Sequence, residues 1–166
     1  MREEKKRTKK IFFIPLIISV GLPLLIAWLI NSTMPYIGDL YKSLNKPFFA
    51  PPASVFPIVW AILYILMGIA CYRVYILKYR GIDTSSAIFT YCIQLLLNFL
   101  WTFIFFGLRL YGIAFIELLV LLFFAVLTFI KFYNKDKIAG LLFIPYLLWL
   151  TYAGVLNFYV WMLNEM

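Results

Sequence analysis

Residues 45–64 read "NKPFFAPPASVFPIVWAILY": a polar, proline-rich approach that becomes an apolar run without a charge. Four prolines, Pro47, Pro51, Pro52 and Pro57, crowd this entrance. An apolar run of this kind, continued to about residue 78, is long enough to cross the roughly 30 Å hydrocarbon core of a bilayer as a helix. Inside hydrocarbon every backbone N–H and C=O must be bonded within the segment, so a helix is the expected form. Pro51 and Pro52 suit the first turn of that helix, where no N–H is required. Pro57 is expected to free the carbonyl of Ala53 and kink the helix, widening whatever opens beside it.

Working outward, the rest of the chain has the same character. Of its 166 residues 65% are hydrophobic and 13% charged, whereas a soluble domain is about 45–50% apolar and about 25% charged. Apolar runs separated by short polar breaks give five spans, at 11–31, 52–78, 86–107, 110–132 and 138–163. The expectation is an all-α integral membrane protein, one five-transmembrane-helix bundle over 11–166 behind a basic tail at 1–10. The tail resembles the start of a signal peptide, but the run behind it is long enough to span and lacks a small-residue cleavage site, so it is read as a retained helix. Only the first break, 32–51, is long, and it is too apolar and proline-rich to be a plain linker.

Charge supplies the orientation. Arg2, Lys5, Lys6, Arg7, Lys9 and Lys10 in the tail fall on the same side as Arg73, Lys78, Arg80, Lys131, Lys135 and Lys137. The other side holds only Lys42, Lys46 and Arg109. The positive-inside bias then places the N-terminus in the cytoplasm and the C-terminus outside, in a multi-pass protein of the cell membrane. Anionic headgroups account for the tail better than nucleic acid does, and no basic, aromatic-interleaved soluble surface exists for a nucleic-acid partner.

Several chemistries are excluded or lack support. The chain has no histidine, which removes the commonest metal ligand and acid–base group together. A Ser-His-Asp or Cys-His arrangement is impossible, no phosphate-binding glycine loop is present, and the two cysteines, Cys71 and Cys92, form no spacing motif. No metal site is expected.

Three spans carry aromatic and polar residues at helical spacing: Pro57, Trp60, Tyr64, Gly68 and Cys71; then Gln94, Asn98, Trp101 and Phe105; then Pro145, Trp149, Tyr152, Leu156 and Tyr159, with Ala153 and Asn157 beside them. Turned inward, these stripes would line a cavity walled by ring faces with a few hydrogen-bonding groups. Two plainer roles compete. Asn98 and Gln94 suit bonds between helices, and Trp28, Tyr159 and Trp161 suit anchoring at the membrane surface. Glu117, the one carboxylate well inside a span, is either a hydrogen-bonded structural acid or a proton-coupling group.

The motifs "LYKSLNKPFFAPP", "VFPIVWAILYILMG", "QLLLNFLWTFIFFG" and "PYLLWLTYAGVLNFYVW" occur in that order between Leu40 and Trp161. Together they resemble the translocator protein family, also called tryptophan-rich sensory proteins or TspO/MBR. The resemblance implies a five-helix bundle, often a homodimer, with a cavity lidded by the first loop. It implies binding of porphyrins and drug-like hydrophobic ligands, a role in tetrapyrrole handling or stress response, and no required cofactor. Carried over by position, it assigns Pro51, Pro52, Trp60, Tyr64, Asn98, Trp101, Trp149, Ala153 and Leu156 to the ligand site. A light-dependent porphyrin breakdown would use Trp60 and Trp149; otherwise no residue is catalytic. A further alternative is export of small hydrophobic compounds, for which Glu117 would have to titrate. Porphyrin carboxylates would seek Asn98, Lys42 or Lys46.

The chain departs from the pattern at three tryptophans, where Leu40, Phe49 and Ile113 stand instead. Phenylalanine and aliphatic side chains keep the contact but lose the indole N–H and its easier oxidation. In animal members the last helix ends in a cholesterol-recognition pattern. Here Met162 takes the place of its basic residue, so cholesterol is not an expected partner. The third span lacks a strong small-xxx-small pattern, which leaves the dimer without a sequence signal of its own.

Overall fold

The computed structural model describes the backbone of residues 2–166 and the side chains of residues 13–166. The side chains of the basic tail at 1–10 lie outside the described residues. The chain forms α1 (Arg2–Thr33), a short α2 (Ile37–Ser43), α3 (Val55–Tyr75), α4 (Ser85–Thr102), α5 (Tyr111–Lys135), a short α6 (Lys137–Leu141) and α7 (Ile144–Asn164), with no strand among the described residues. Five stretches are long and apolar enough to cross a membrane: Phe13–Thr33, Val55–Arg80, Ser85–Gly107, Tyr111–Lys135 and Lys137–Asn164. The chain is therefore a multi-pass, all-helical membrane protein.

The proline-rich entrance folds differently from its sequence reading. Ala50 N–H donates to the Pro47 carbonyl at 3.0 Å and Val55 N–H to the Pro52 carbonyl at 3.0 Å. Two proline-led turns thus follow one another, and α3 begins only at Val55. Pro51 and Pro52 precede the helix, and Pro57 sits in its first turn. The first four N–H groups of a helix have no partner within it, so Pro57 removes nothing and imposes no kink.

α5 is the centre of the bundle, packed along α4 and α7, while α1 lies along α3. The α1–α3 contact depends on Gly68. A Cβ there would lie 2.5 Å from the Ser19 carbonyl oxygen and 2.7 Å from Val20 Cα, so the two backbones touch only because the side chain is absent. The outer face of α1 shows Phe13, Ile17, Leu22, Leu25 and Trp28 exposed, as expected for a surface bathed in lipid tails.

The buried interior divides into two. The larger core joins Leu63–Val74 of α3, Tyr91 and Leu95 of α4, Leu121 and Phe132 of α5, and Phe143, Tyr146 and Leu150 around the start of α7. The smaller one joins Tyr41 and Leu44 of the first loop to Phe105, Tyr111, Ala114, Leu156 and Val160. We call these the distal half and the lid half. At the distal end Asp136 accepts from Ala139 N–H at 3.0 Å and pairs with Arg73 at 2.8 Å, fixing the corner between α5 and α6.

Candidate functional site

The expected site residues lie along the seam between the two cores. Trp60 and Trp149 pack from the distal side; Phe49, Ala53, Phe56 and Trp101 pack from the lid side. All six are only half-buried, in contrast to the closed cores above and below. Helix α3 meets α4 and α7 at few positions, far fewer than α5 does. The seam is therefore where helices stand apart and rings fill the space between them.

Ring contacts make the seam continuous. Phe49 of the lid meets Tyr152 edge-on at 6.4 Å between centroids, Tyr152 meets Trp149 at 5.5 Å, and Trp149 meets Phe56 at 5.9 Å. Phe56 in turn meets Tyr41 at 4.9 Å. On the other flank Trp60 stacks on Tyr64 at 5.4 Å and turns an edge to Tyr146 at 6.4 Å.

Beneath Trp60 runs a buried chain of polar groups. Tyr64 hydroxyl donates to Asn98 Oδ1 at 2.7 Å, Asn98 Nδ2 donates to the Tyr146 hydroxyl at 3.3 Å, and that hydroxyl donates to Gln94 Oε1 at 2.8 Å. Three helices are tied by side chains that water does not reach. Asn98 bonds through both its amide oxygen and its amide nitrogen. Trp101 takes a different direction: its Nε1–H donates to Asn157 Oδ1 at 3.0 Å, and Asn157 Nδ2 donates to the Tyr111 carbonyl at 2.8 Å. Leu156 is buried in the lid-half core, and Ala153 is half-buried one turn after Trp149. Pro51 accepts from the Tyr41 hydroxyl at 3.0 Å, and Pro52 holds the turn before α3.

Other candidates are engaged elsewhere. Lys46 Nζ donates to the carbonyls of Tyr41, Lys42 and Leu44 at 2.6, 3.0 and 2.8 Å, closing the end of α2, and Lys42 pairs with Asp39 at 2.9 Å. Glu117 is not the hydrogen-bonded acid of the first alternative. Both its carboxyl oxygens are buried and have no hydrogen-bond partner among the described residues, as is true of Trp149 Nε1.

Sequence reasoning missed Tyr146 and Phe56, and set Asn157 only beside a stripe whose buried face includes it. On α7 the buried residues are Tyr146, Leu150, Gly154, Leu156, Asn157 and Val160; of the expected stripe of Pro145, Trp149, Tyr152, Leu156 and Tyr159 only Leu156 is among them, and the rest of the buried face lies about one residue along. Of those five, Pro145 and Tyr159 are exposed and Trp149 and Tyr152 half-buried. The available signal was Gly154, since a glycine in an apolar helix marks close packing; a Cβ there would lie 3.2 Å from Leu118.

Comparison with known proteins follows the same lines. Protein CrtK of Rhodobacter capsulatus is 40% identical over 127 residues, covering 76% of this chain and 79% of its own. A tryptophan-rich sensory protein of Cereibacter sphaeroides is 41% identical over 126 residues, covering 76% and 77%. The human translocator protein is 39% identical over 128 residues, covering 75% of each chain. The model of the TspO/MBR family matches residues 16–162, which overlaps all five spans. The chain belongs to the TspO/MBR family.

Proposed function

We propose that this protein is a membrane receptor for flat, apolar ring systems of the tetrapyrrole class, bound along the seam between its two cores. The observation that supports the reading is the run of half-buried rings contributed by the lid, α3 and α7, with Trp60 and Trp149 packed against the distal core and Phe49 and Phe56 against the lid core. A porphyrin is a wide, rigid π-face, and offset or edge-to-face contact with such rings is worth about 0.5–1.5 kcal/mol per pair beyond burial. The tetrapyrrole class itself comes from the family resemblance. Without histidine in the chain, the ligand is held by its faces and edges with no imidazole on a central metal. Lys42 and Lys46 already have protein partners, so porphyrin carboxylates lie toward solvent at the lid.

The excess of basic residues at the distal end, Arg73, Lys78, Arg80, Lys131, Lys135 and Lys137, supports a cytoplasmic distal end and an extracytoplasmic lid in the cell membrane. Ligand then enters from outside or from the outer leaflet. Titrating protoporphyrin into the purified protein should quench tryptophan fluorescence and shift the porphyrin absorption band. Trp60→Phe and Trp149→Phe should each weaken binding by about three- to tenfold, as loss of part of a ring contact implies. Unchanged fluorescence and absorption through the titration would overturn the proposal. Illumination of the complex separates receptor from photochemical enzyme: a receptor leaves the porphyrin spectrum intact.

A further inference from the structure

The lid is bonded to the end of the last helix. Asn45 N–H donates to Asn164 Oδ1 at 3.1 Å, and Asn164 Nδ2 donates back to the Asn45 carbonyl at 2.9 Å. One side-chain amide thus satisfies both backbone groups of one lid residue, much as a neighbouring strand would. The second proton of Asn164 Nδ2 goes to the Val160 carbonyl at 2.7 Å, which fixes the amide on α7. The next residue faces the other way. Glu165 accepts from Tyr111 N–H and Gly112 N–H, each at 2.8 Å, and so caps the free N–H groups at the start of α5. A carboxylate is favoured there by the helix dipole as well as by the two bonds. Trp161 packs over the same place; a Cβ on Gly112 would lie 2.6 Å from its Nε1.

We infer that the C-terminal turn, residues 163–165, is a clasp: Glu165 anchors it to α5, and Asn164 uses that anchorage to hold the lid shut over the seam. The role as a gate for ligand rests on the receptor reading above; the mechanical coupling does not. The two Asn45–Asn164 bonds are solvent-exposed, where water competes for each partner and a bond is readily exchanged. The lid's other tether to α7, Tyr152 hydroxyl to the Phe49 carbonyl at 3.0 Å, is half-buried. Release of the clasp therefore opens the Asn45 side first and leaves the Phe49 side as the hinge. The coupling has a consequence that local packing lacks: a change at Glu165, which contacts no lid residue through any of these bonds, should loosen the lid.

Hydrogen–deuterium exchange on the full chain in lipid nanodiscs tests this directly, comparing Asn164→Ala and Glu165→Gln with the parent. Thermal unfolding of each variant checks that the bundle is retained. Peptides covering residues 44–50 should exchange about tenfold faster in Asn164→Ala, the effect of losing bonds worth about 1 kcal/mol each. They should exchange faster, by a smaller factor, in Glu165→Gln, while the distal loop at 81–84 stays as in the parent. Parent-like lid exchange in both variants overturns the clasp, and acceleration in Asn164→Ala alone overturns its anchorage through Glu165. The association rate of protoporphyrin should rise in Asn164→Ala. A parent protein that binds no porphyrin defeats the receptor reading and leaves the exchange result to decide the clasp.

Discussion

The distal and lid halves of this bundle are held by different kinds of bond. In the distal half Tyr91, Phe132, Phe143 and Tyr146 pack ring against ring, and the polar bonds join side chains of one helix to side chains of another. In the lid half Trp101 and Asn157 also join helices through side chains, but the cover itself is held by bonds between side chains of α7 and α2 and the backbone of a loop, two of them open to water. Buried side-chain networks fix helices in one arrangement, because leaving any member unpaired is costly. Exposed bonds to a loop hold it without fixing it. The seam of rings lies between a rigid floor and a releasable cover.

Substitutions can break this contrast, and the largest effect should come from Tyr146. Tyr146→Ala leaves a cavity in the distal core and should cost about 3–5 kcal/mol, seen as a large fall in the thermal midpoint in detergent. Tyr146→Phe keeps the ring and removes the hydroxyl that serves both Asn98 and Gln94, at about 1–2 kcal/mol. A Tyr146→Phe protein as stable as the parent would mean the polar chain does not hold the floor.

In the lid half, Tyr41→Phe should cost about 1 kcal/mol. Burial, and then the nearby Tyr152, push the Tyr41 phenol up to about 12. A raised folded-state value means its contribution is complete below the ordinary phenol range near 10 and fades as pH rises toward the folded value. Alkaline titration followed by tyrosinate absorbance should therefore show one fewer late-ionising tyrosine in Tyr41→Phe than in the parent.

A smaller effect belongs to the distal corner. Burial alone would raise Asp136, but the N–H groups of Ala139 and Ile138 together with Arg73 outweigh it and hold the carboxyl below its usual range. The pair then stabilises the fold above the ordinary aspartate value and is lost as pH falls through the lowered one. It is partly open to solvent, so Asp136→Asn should cost under about 1 kcal/mol at neutral pH and flatten the acid limb of stability against pH. Phe48 is fully exposed, and Phe48→Ala should change stability by less than about 0.5 kcal/mol, the smallest effect of the series.

Hydropathy and span length made the five membrane helices legible, because lipid penalises any unsatisfied backbone. The stripes on α3 and in the third span point inward only in part: Tyr64, Gly68 and Cys71 are buried, as are Gln94, Asn98 and Phe105, while Trp60 and Trp101 are half-buried and Pro57 is exposed. On α7 the reading was displaced by one residue, since aromatic content does not distinguish a core face from its flank. The start of α3 was misplaced for a related reason. Proline marks a boundary, but only the hydrogen bonds of the two turns show that the boundary lies beyond Pro52. Asn164 and Glu165 carried no signal, because short polar residues at a chain end look like any solvated terminus.

The fold also orders its own assembly. Asn98 waits for Tyr146, Trp101 for Asn157, Tyr111 and Gly112 for Glu165, and the lid residues Asn45 and Phe49 for Asn164 and Tyr152. Every one of these partners is on α7 or just beyond it. During synthesis the four spans before it can enter the membrane, yet α4, the start of α5 and the lid leave polar groups unpaired until α7 arrives. A ribosome that stops before residue 145 releases helices without their closing bonds, so the last span to be made is the one that turns a set of inserted helices into a folded protein.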